Sequence, residues 1–299
     1  MLRREAKNEE GRGLALILLS TVAYGTMPVL TKVAYGSGVR PLPLLAWRFL
    51  LASLLFALLP SAGPAKPISG RQRLTLWAIG AVYVVNALAY FKALETVPAS
   101  TVALLLYTYP VIVTLFSGLL GWEGLTPRGL GAAGLAGAGC ALTAGGALVG
   151  GPGVFFALLT AVLYAAYIML GSRFAAQVPA QTAALHLTQV CALVCVPWAI
   201  GQGSVLLFPD VRAWGAVLGI TVLSTVVALR AFLAGLARVG PARAAVLSSF
   251  EVVVTLALAV IVLGERLGVR QWAGAALILG AVGLQNLGSR RRLGKAQGY

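Results

Sequence analysis

Residues 98–120 read PASTVALLLYTYPVIVTLFSGLL, and residues 241–263 read PARAAVLSSFEVVVTLALAVIVL. A shift of 143 positions carries Pro98 onto Pro241, Ala99 onto Ala242, Leu104 onto Leu247 and Val111 onto Val254. The match continues through a short break into a small-residue run, with Gly121 on Gly264, Gly131 on Gly274 and Gly137 on Gly280. A shift of 142 pairs Glu123 with Glu265, so the copies differ by one residue of slippage. Each copy is a long apolar run, a Gly/Glu/Arg break and a Gly/Ala-rich apolar run. The chain therefore divides into two halves.

Of 299 residues, 59% are hydrophobic and 10% are charged, against roughly 25% charged in an average soluble domain. With a mean hydropathy of +0.90, the chain belongs in a lipid bilayer, and no stretch is left for a soluble domain. Crossing about 30 Å of hydrocarbon takes roughly 20 helical residues. Ten runs satisfy this: 13–34, 42–60, 73–94, 99–120, 127–148, 152–172, 180–200, 212–235, 241–263 and 270–288. They are continuous rather than alternating, which predicts helices and not a barrel. The breaks carry turn residues, among them Gly36-Ser37-Gly38, Ser61 to Pro64, Gly150 to Gly153 and Gly201-Gln202-Gly203.

A net charge of +15 would point to nucleic acid in a soluble protein; here the basic residues gather in the breaks and set orientation, so no nucleic-acid partner is expected. Fifteen Lys and Arg fall on the side of the termini and four (Arg40, Arg212, Arg266, Arg270) on the other, which predicts cytoplasmic termini. Met1 to Arg12 is charged and lacks a small-residue cleavage site before the first apolar run, so that run is expected to stay as a helix. Cys140, Cys191 and Cys195 lie inside apolar runs and read as small hydrophobes.

Five spans per half is an odd number, so two equivalent halves cross the membrane in opposite senses. The first spans agree: a shift of 140 pairs Leu18-Leu19 with Leu158-Leu159, Val22 with Val162 and Tyr24 with Tyr164. The expectation is an all-α integral membrane protein of ten transmembrane helices in two inverted five-helix repeats, 13–148 and 152–288. A tail at 1–12 and a basic tail at 289–299 are both placed on the cytoplasmic side. Inverted repeats are the usual architecture of secondary transporters, with the solute near the midplane between the halves.

The segment Trp47-Arg48-Phe49, the joint Ala93-Leu94 to Pro98-Ala99, Tyr109-Pro110, Glu251, and Gly264-Glu265 followed by Gly274 and Gly280 carry a resemblance that covers nearly the whole chain. In their order and spacing they resemble the drug/metabolite transporter superfamily, in its ten-span EamA-type branch. Two departures are Val252, where relatives place proline after the Glu, and Trp122, which interrupts a Gly-Glu pair in the first half. The resemblance implies a gradient-coupled carrier or facilitator, commonly an exporter of amino acids or other small metabolites.

Glu251 is the only acidic residue inside a span, ten residues from each end of span nine, where an ionised carboxylate costs about 2.5–3.5 kcal/mol unless it faces a cavity or partner. With Ser248 and Thr255 it forms a polar stripe at i, i+3, i+7. It reads either as a contact for a substrate amine or a protonatable coupling site, or as a structural hydrogen bond to a neighbouring helix. Tyr83, Asn86 and Tyr90 share a face of span three; Tyr164 and Tyr167 share one with Thr160 in span six. Tyr107, Pro110 and Thr114 do so in span four, and Tyr24, Pro28 and Thr31 in span one. Such a lining suits a small amphipathic solute; the alternative is interfacial or interhelical packing. Lys32, Arg48 and Lys92 lie toward the outer ends of their spans, where they read either as snorkelling to the interface or as a shared outer basic vestibule that attracts carboxylates. Arg230 is a candidate partner of Glu251. His186, with Thr182 and Gln189, is a candidate proton relay.

No metal cluster, phosphate loop or cofactor motif is visible. A membrane enzyme would need clustered carboxylates or an acid–base pair, which a single His and one intramembrane Glu do not supply. The expected function is a secondary transporter exporting small organic metabolites, amino acids including aromatic or apolar ones, across a bacterial inner membrane. Drugs, nucleobases or vitamins are alternative cargo. Partners are a small-molecule substrate and the bilayer, and ten spans enclose a cavity in one chain, so a monomer suffices.

Overall fold

A computed structural model describes every residue except 1, 60–67, 122–126, 145–150, 175–177, 205, 206, 209, 240–246, 249 and 297–299, and the side chains of all these except 2–8, 128, 144, 174, 237 and 285–296. The expected turns at Ser61 to Pro64 and Trp122-Glu123, and the start of span nine at Pro241, lie outside the described residues. The regular elements found are all helical: α1 (Leu2–Gly25), α2 (Met27–Gly36), α3 (Pro41–Leu58), α4 (Gly70–Thr96), α5 (Ala99–Leu106), α6 (Tyr109–Leu119) and α7 (Pro127–Ala144). They continue with α8 (Pro152–Phe174), α9 (Ala180–Gly201), α10 (Val211–Thr221), a π segment (Val222–Val227), α11 (Ala228–Val239), α12 (Glu251–Leu263) and α13 (Val269–Ala296). Among the described residues, 7 helical stretches are long and apolar enough to cross a membrane. Three shorter apolar helices lie at Gly129–Thr143, Glu251–Leu263 and Val269–Leu284.

Local chemistry explains the ends. Ser69 opens α4 with a reciprocal cap: its hydroxyl accepts from the Gln72 N–H at 3.2 Å while Gln72 Oε1 accepts from the Ser69 N–H at 2.8 Å. Asp210 accepts from the Arg212 N–H at 2.9 Å and opens α10. Gly264 ends α12 at φ +67°, a left-handed value that favours glycine. The tail expected at 1–12 is instead helical from Leu2, and helix α13 runs on through the tail expected at 289–299 as far as Ala296.

Four helix pairs carry the main packing: α1 with α11, α4 with α8, α3 with α9, and α7 with α13. The last pair is close because it is made of small residues. A Cβ on Gly274 would meet Thr143 Oγ1 and stand 2.7 Å from the Gly139 carbonyl oxygen, so the backbones approach as only glycine allows. Similarly, a Cβ on Gly235 of α11 would stand 2.8 Å from Ile17 of α1. Beside that contact Glu9 accepts from Arg12 at 2.9 Å and from Arg238 at 3.1 Å.

Three interruptions shape the interior. Pro28 stands at the second position of α2 and Pro110 at the second position of α6. Each lacks the N–H that would continue the preceding helix. The π segment 222–227 gives a third, between α10 and α11.

Candidate functional site

The interruptions meet. At the α1/α2 break the Gly25 carbonyl accepts from Thr255 Oγ1 of α12 at 3.0 Å, and Thr26 Oγ1 lies 2.8 Å from Ser224 Oγ of the π segment. At the α5/α6 break the Tyr107 hydroxyl donates to the Ser248 carbonyl at 2.6 Å, just ahead of α12. Broken helices leave backbone groups that side chains must satisfy; here Thr255 satisfies the Gly25 carbonyl at the α1/α2 break, and Tyr107 of the first half satisfies the Ser248 carbonyl ahead of α12.

Around these breaks runs a file of aromatic rings. Phe49 meets Tyr83 edge-on at 6.2 Å, Tyr83 meets Tyr167 at 5.0 Å, and Tyr167 stacks on Tyr164 at 5.8 Å with 25° between planes. Tyr164 then meets Tyr109 at 4.8 Å and Tyr109 meets Tyr107 at 5.8 Å, both edge-on. Edge-to-face and offset pairs fix ring positions while leaving faces available. Glu251 and the rings of Tyr83, Tyr109, Tyr164 and Tyr167 all retain partial exposure inside the bundle. Tyr24, Tyr90, Tyr107, Tyr109 and Tyr164 stand within electrostatic reach of the Glu251 carboxylate. The arrangement is a carboxylate looking onto an aromatic wall, which suits a solute with an apolar body and a cationic end.

Seven of the residues expected from the sequence thus come together: Tyr24, Tyr83, Tyr90, Tyr107, Tyr164, Tyr167 and Glu251. Asn86 is buried on α4 between Tyr83 and Tyr90, and its Oδ1 has no hydrogen-bond partner among the described residues. Ser248 contributes its carbonyl to Tyr107. The stripe of Ser248, Glu251 and Thr255 does not lie on one continuous helix, because α12 starts at Glu251 with Phe250 as its N-cap. The carboxylate therefore occupies a first helical turn, where the helix dipole favours negative charge, rather than the middle of a helix.

Two further expected residues, Arg230 and His186, form no ion pair with Glu251 among the described residues. His186 neighbours Gln189 and Arg73 near the start of α4, apart from the tyrosines. Lys92 snorkels as expected, half-exposed and paired with Glu95. Arg48 does not: it is 3% exposed and turns inward, with its guanidinium carbon 5.1 Å from the Phe49 centroid and 5.3 Å from that of Phe91. Its distance from the outer helix end, seven residues or about 10 Å, says nothing about which face of the helix it occupies.

The sequence reading also missed Ser224 and Thr225, since nothing in the letters marks a π segment, and Glu265 as a cap. Glu265 accepts from the backbone N–H groups of Ala99 at 2.7 Å and Ser100 at 3.1 Å, closing the N-terminus of α5 from the other half. A cavity of about 560 Å³ lies away from the aromatic file, lined by Thr96, Thr101, Thr143, Val154, Arg270 and Gln271. It sits at the helix ends remote from both termini.

Comparison with known proteins gives a consistent result. The model of the EamA-like transporter family matches twice, at residues 11–145 and 151–287. An uncharacterized transporter of Bacillus subtilis, YcbK, is 28% identical over 280 residues, 89% of this chain and 90% of that one. The Escherichia coli inner membrane transporter YedA, also uncharacterized, is 27% identical over 83% of this chain and 82% of its own. The aromatic amino acid exporter YddG of Ancylobacter novellus is 29% identical over 215 residues, 63% of this chain and 68% of its own. A solved crystal structure superposes with a TM-score of 0.65 at 22% identity, over 93% of this chain and 98% of that one, which is likeness of fold. Matched by the family twice and built from helices of membrane-crossing length, the chain is a multi-pass inner membrane protein of the EamA-like transporter family.

Proposed function

We propose that the protein is an alternating-access carrier that exports small organic metabolites, amino acids including aromatic and apolar ones, across a bacterial inner membrane. The observation that carries this reading is the Glu251 carboxylate beside Tyr109 and Tyr164, one end of the Tyr83–Tyr167–Tyr164–Tyr109 file, where the helices of both halves break. The rings offer faces to an apolar side chain, and the carboxylate offers a counter-charge to an ammonium group. The likeness to an aromatic amino acid exporter supports the same cargo.

In this reading the ten spans form two inverted repeats, 13–148 and 152–288, with both termini cytoplasmic and one chain sufficient for transport. The packing of α1 on α11 and of α4 on α8 supports it. Exchanging the halves carries span one to span six and span eight to span three, so one contact maps onto the other. Single cysteines at Gly11 and Lys295 should react with a membrane-impermeant thiol reagent only from the cytoplasmic face; labelling from opposite faces would sink the topology.

Counterflow in liposomes tests the function. Vesicles loaded with unlabelled L-phenylalanine should accumulate labelled L-phenylalanine through the folded protein. If no amino acid exchanges while the protein remains folded, the cargo assignment fails.

A further inference from the structure

Arg48 is a buried cation inside a membrane protein, and among the described residues no carboxylate pairs with it. Its Nε donates to Thr225 Oγ1 at 3.1 Å, the Tyr83 hydroxyl faces its guanidinium, and Phe49 and Phe91 lie against it. The ion pairs among the described residues are Arg12–Glu9, Arg238–Glu9 and Lys92–Glu95, and none includes Arg48. Aromatic faces and one hydroxyl recover part of the lost hydration, but a desolvated charge without a counter-charge remains unfavourable. An arginine held in that condition is suited to an anion that comes and goes.

The holding is specific. Thr225 lies in the π segment, and its hydroxyl donates to the Ile220 carbonyl, five residues back, at 2.9 Å. That donation turns an oxygen lone pair toward Arg48 Nε, while the Tyr83 hydroxyl meets the guanidinium from the aromatic file. The fork matches a carboxylate in a two-bond geometry that a lysine does not reproduce. Tyr24 and Tyr90 are within electrostatic reach of both Arg48 and Glu251. The two opposite charges therefore border one aromatic wall, with no ion pair between them among the described residues.

We propose that Arg48 is the receptor for the substrate's free carboxylate, positioned by Thr225 of the π segment, so that a bound zwitterion spans Arg48 and Glu251. The assignment rests on the amino-acid carrier reading and adds the group that rejects amines and esters. A solute carrying both charges satisfies both residues at once; an amine or an ester leaves Arg48 buried without an anion.

The test uses the full chain in liposomes and counterflow of labelled L-phenylalanine, with unlabelled L-phenylalanine, its methyl ester and phenethylamine as competitors. In the wild type the acid should compete on the order of 10- to 100-fold better than the ester or the amine, since a site built for a polar group rejects analogues lacking it. Arg48→Met should abolish that ratio, and Arg48→Lys should keep a reduced one. Thr225→Val should raise KM for the acid with little change in maximal rate, and leave inhibition by the ester unchanged. Arg48→Met should also melt at or above the wild-type temperature, because removing an unpaired buried charge relieves its desolvation. Equal competition by acid and ester in the wild type overturns the assignment while leaving the carrier intact. So does an Arg48→Met protein that melts lower yet keeps the acid-to-ester ratio, which would make Arg48 a packing residue. Absence of exchange by every amino acid removes the carrier reading, and this assignment with it.

Discussion

The two copies of the duplicated stretch interrupt the chain at matching places with different chemistry. In the first copy α6 starts with Tyr109-Pro110, as α2 starts with Met27-Pro28, proline second in each. In the second copy α12 starts with Glu251-Val252. A second-position N–H has no partner within its helix, so proline loses nothing there. A first-turn carboxylate is favoured by the helix dipole instead. The interruption is thus kept with or without its proline, and one copy supplies a shape where the other supplies a charge. The glycines show the same division. Gly121 and Gly264 hold nearly the same left-handed backbone, φ +68° and +67°. Gly131 and Gly274, also equivalent in sequence, differ: a Cβ on Gly131 would have only Leu284 at 3.9 Å, whereas one on Gly274 would strike α7. Duplication has preserved backbone geometry more strictly than side-chain surroundings.

Substitutions at the unlike positions probe that asymmetry. The largest effect is expected at Glu251, where Glu251→Gln removes the charge and keeps the shape. Exchange of L-phenylalanine should fall about 100-fold, the scale of losing a desolvated charge partner, with melting little changed. Unchanged transport with an unchanged pH profile would remove Glu251 from the site. Next, Gly274→Ala should destabilise the protein by about 1–3 kcal/mol through overpacking against α7, while Gly131→Ala should be neutral in the same denaturation assay. Equal losses at both would mean the α7–α13 approach is not as described. The smallest effect belongs to Val252→Pro, which writes the first copy's device into the second. Transport within about twofold of wild type is expected, since proline suits the first turn of a helix and keeps an apolar group in the buried place of Val252; collapse of folding would show that the two interruptions are not equivalent.

Much of the fold was legible because a bilayer imposes long apolar runs, and α3, α7, α8 and α9 lie close to where the letters put them, whereas the break between α5 and α6 falls inside a span read as continuous over 99–120. The tyrosines and Glu251 were legible because polar groups stand out in such runs. Arg48 was misread because depth along a helix was used to judge it, and depth does not fix the face. Thr225 could not be found, since a π segment depends on tertiary packing and has no residue signature. His186 was attractive as chemistry, but it neighbours Gln189 and Arg73 near the start of α4. Glu251 was expected in mid-helix because the apolar run is unbroken there, while the chain turns at Phe250 without a proline to announce it.

The Glu265 carboxylate on the start of α5 has a consequence for how the protein is made. The acceptor lies 166 residues after the Ala99 donor it closes. At a ribosomal pace of about 5–20 residues per second, α5 waits on the order of 10 s or more before its cap exists. During that interval the N–H groups of Ala99 and Ser100 depend on interfacial water or the insertion machinery. The first half is therefore not a finished unit when it leaves the ribosome. Its fourth span is completed only when the last break of the second half arrives, which ties the order of synthesis to the order in which the bundle closes.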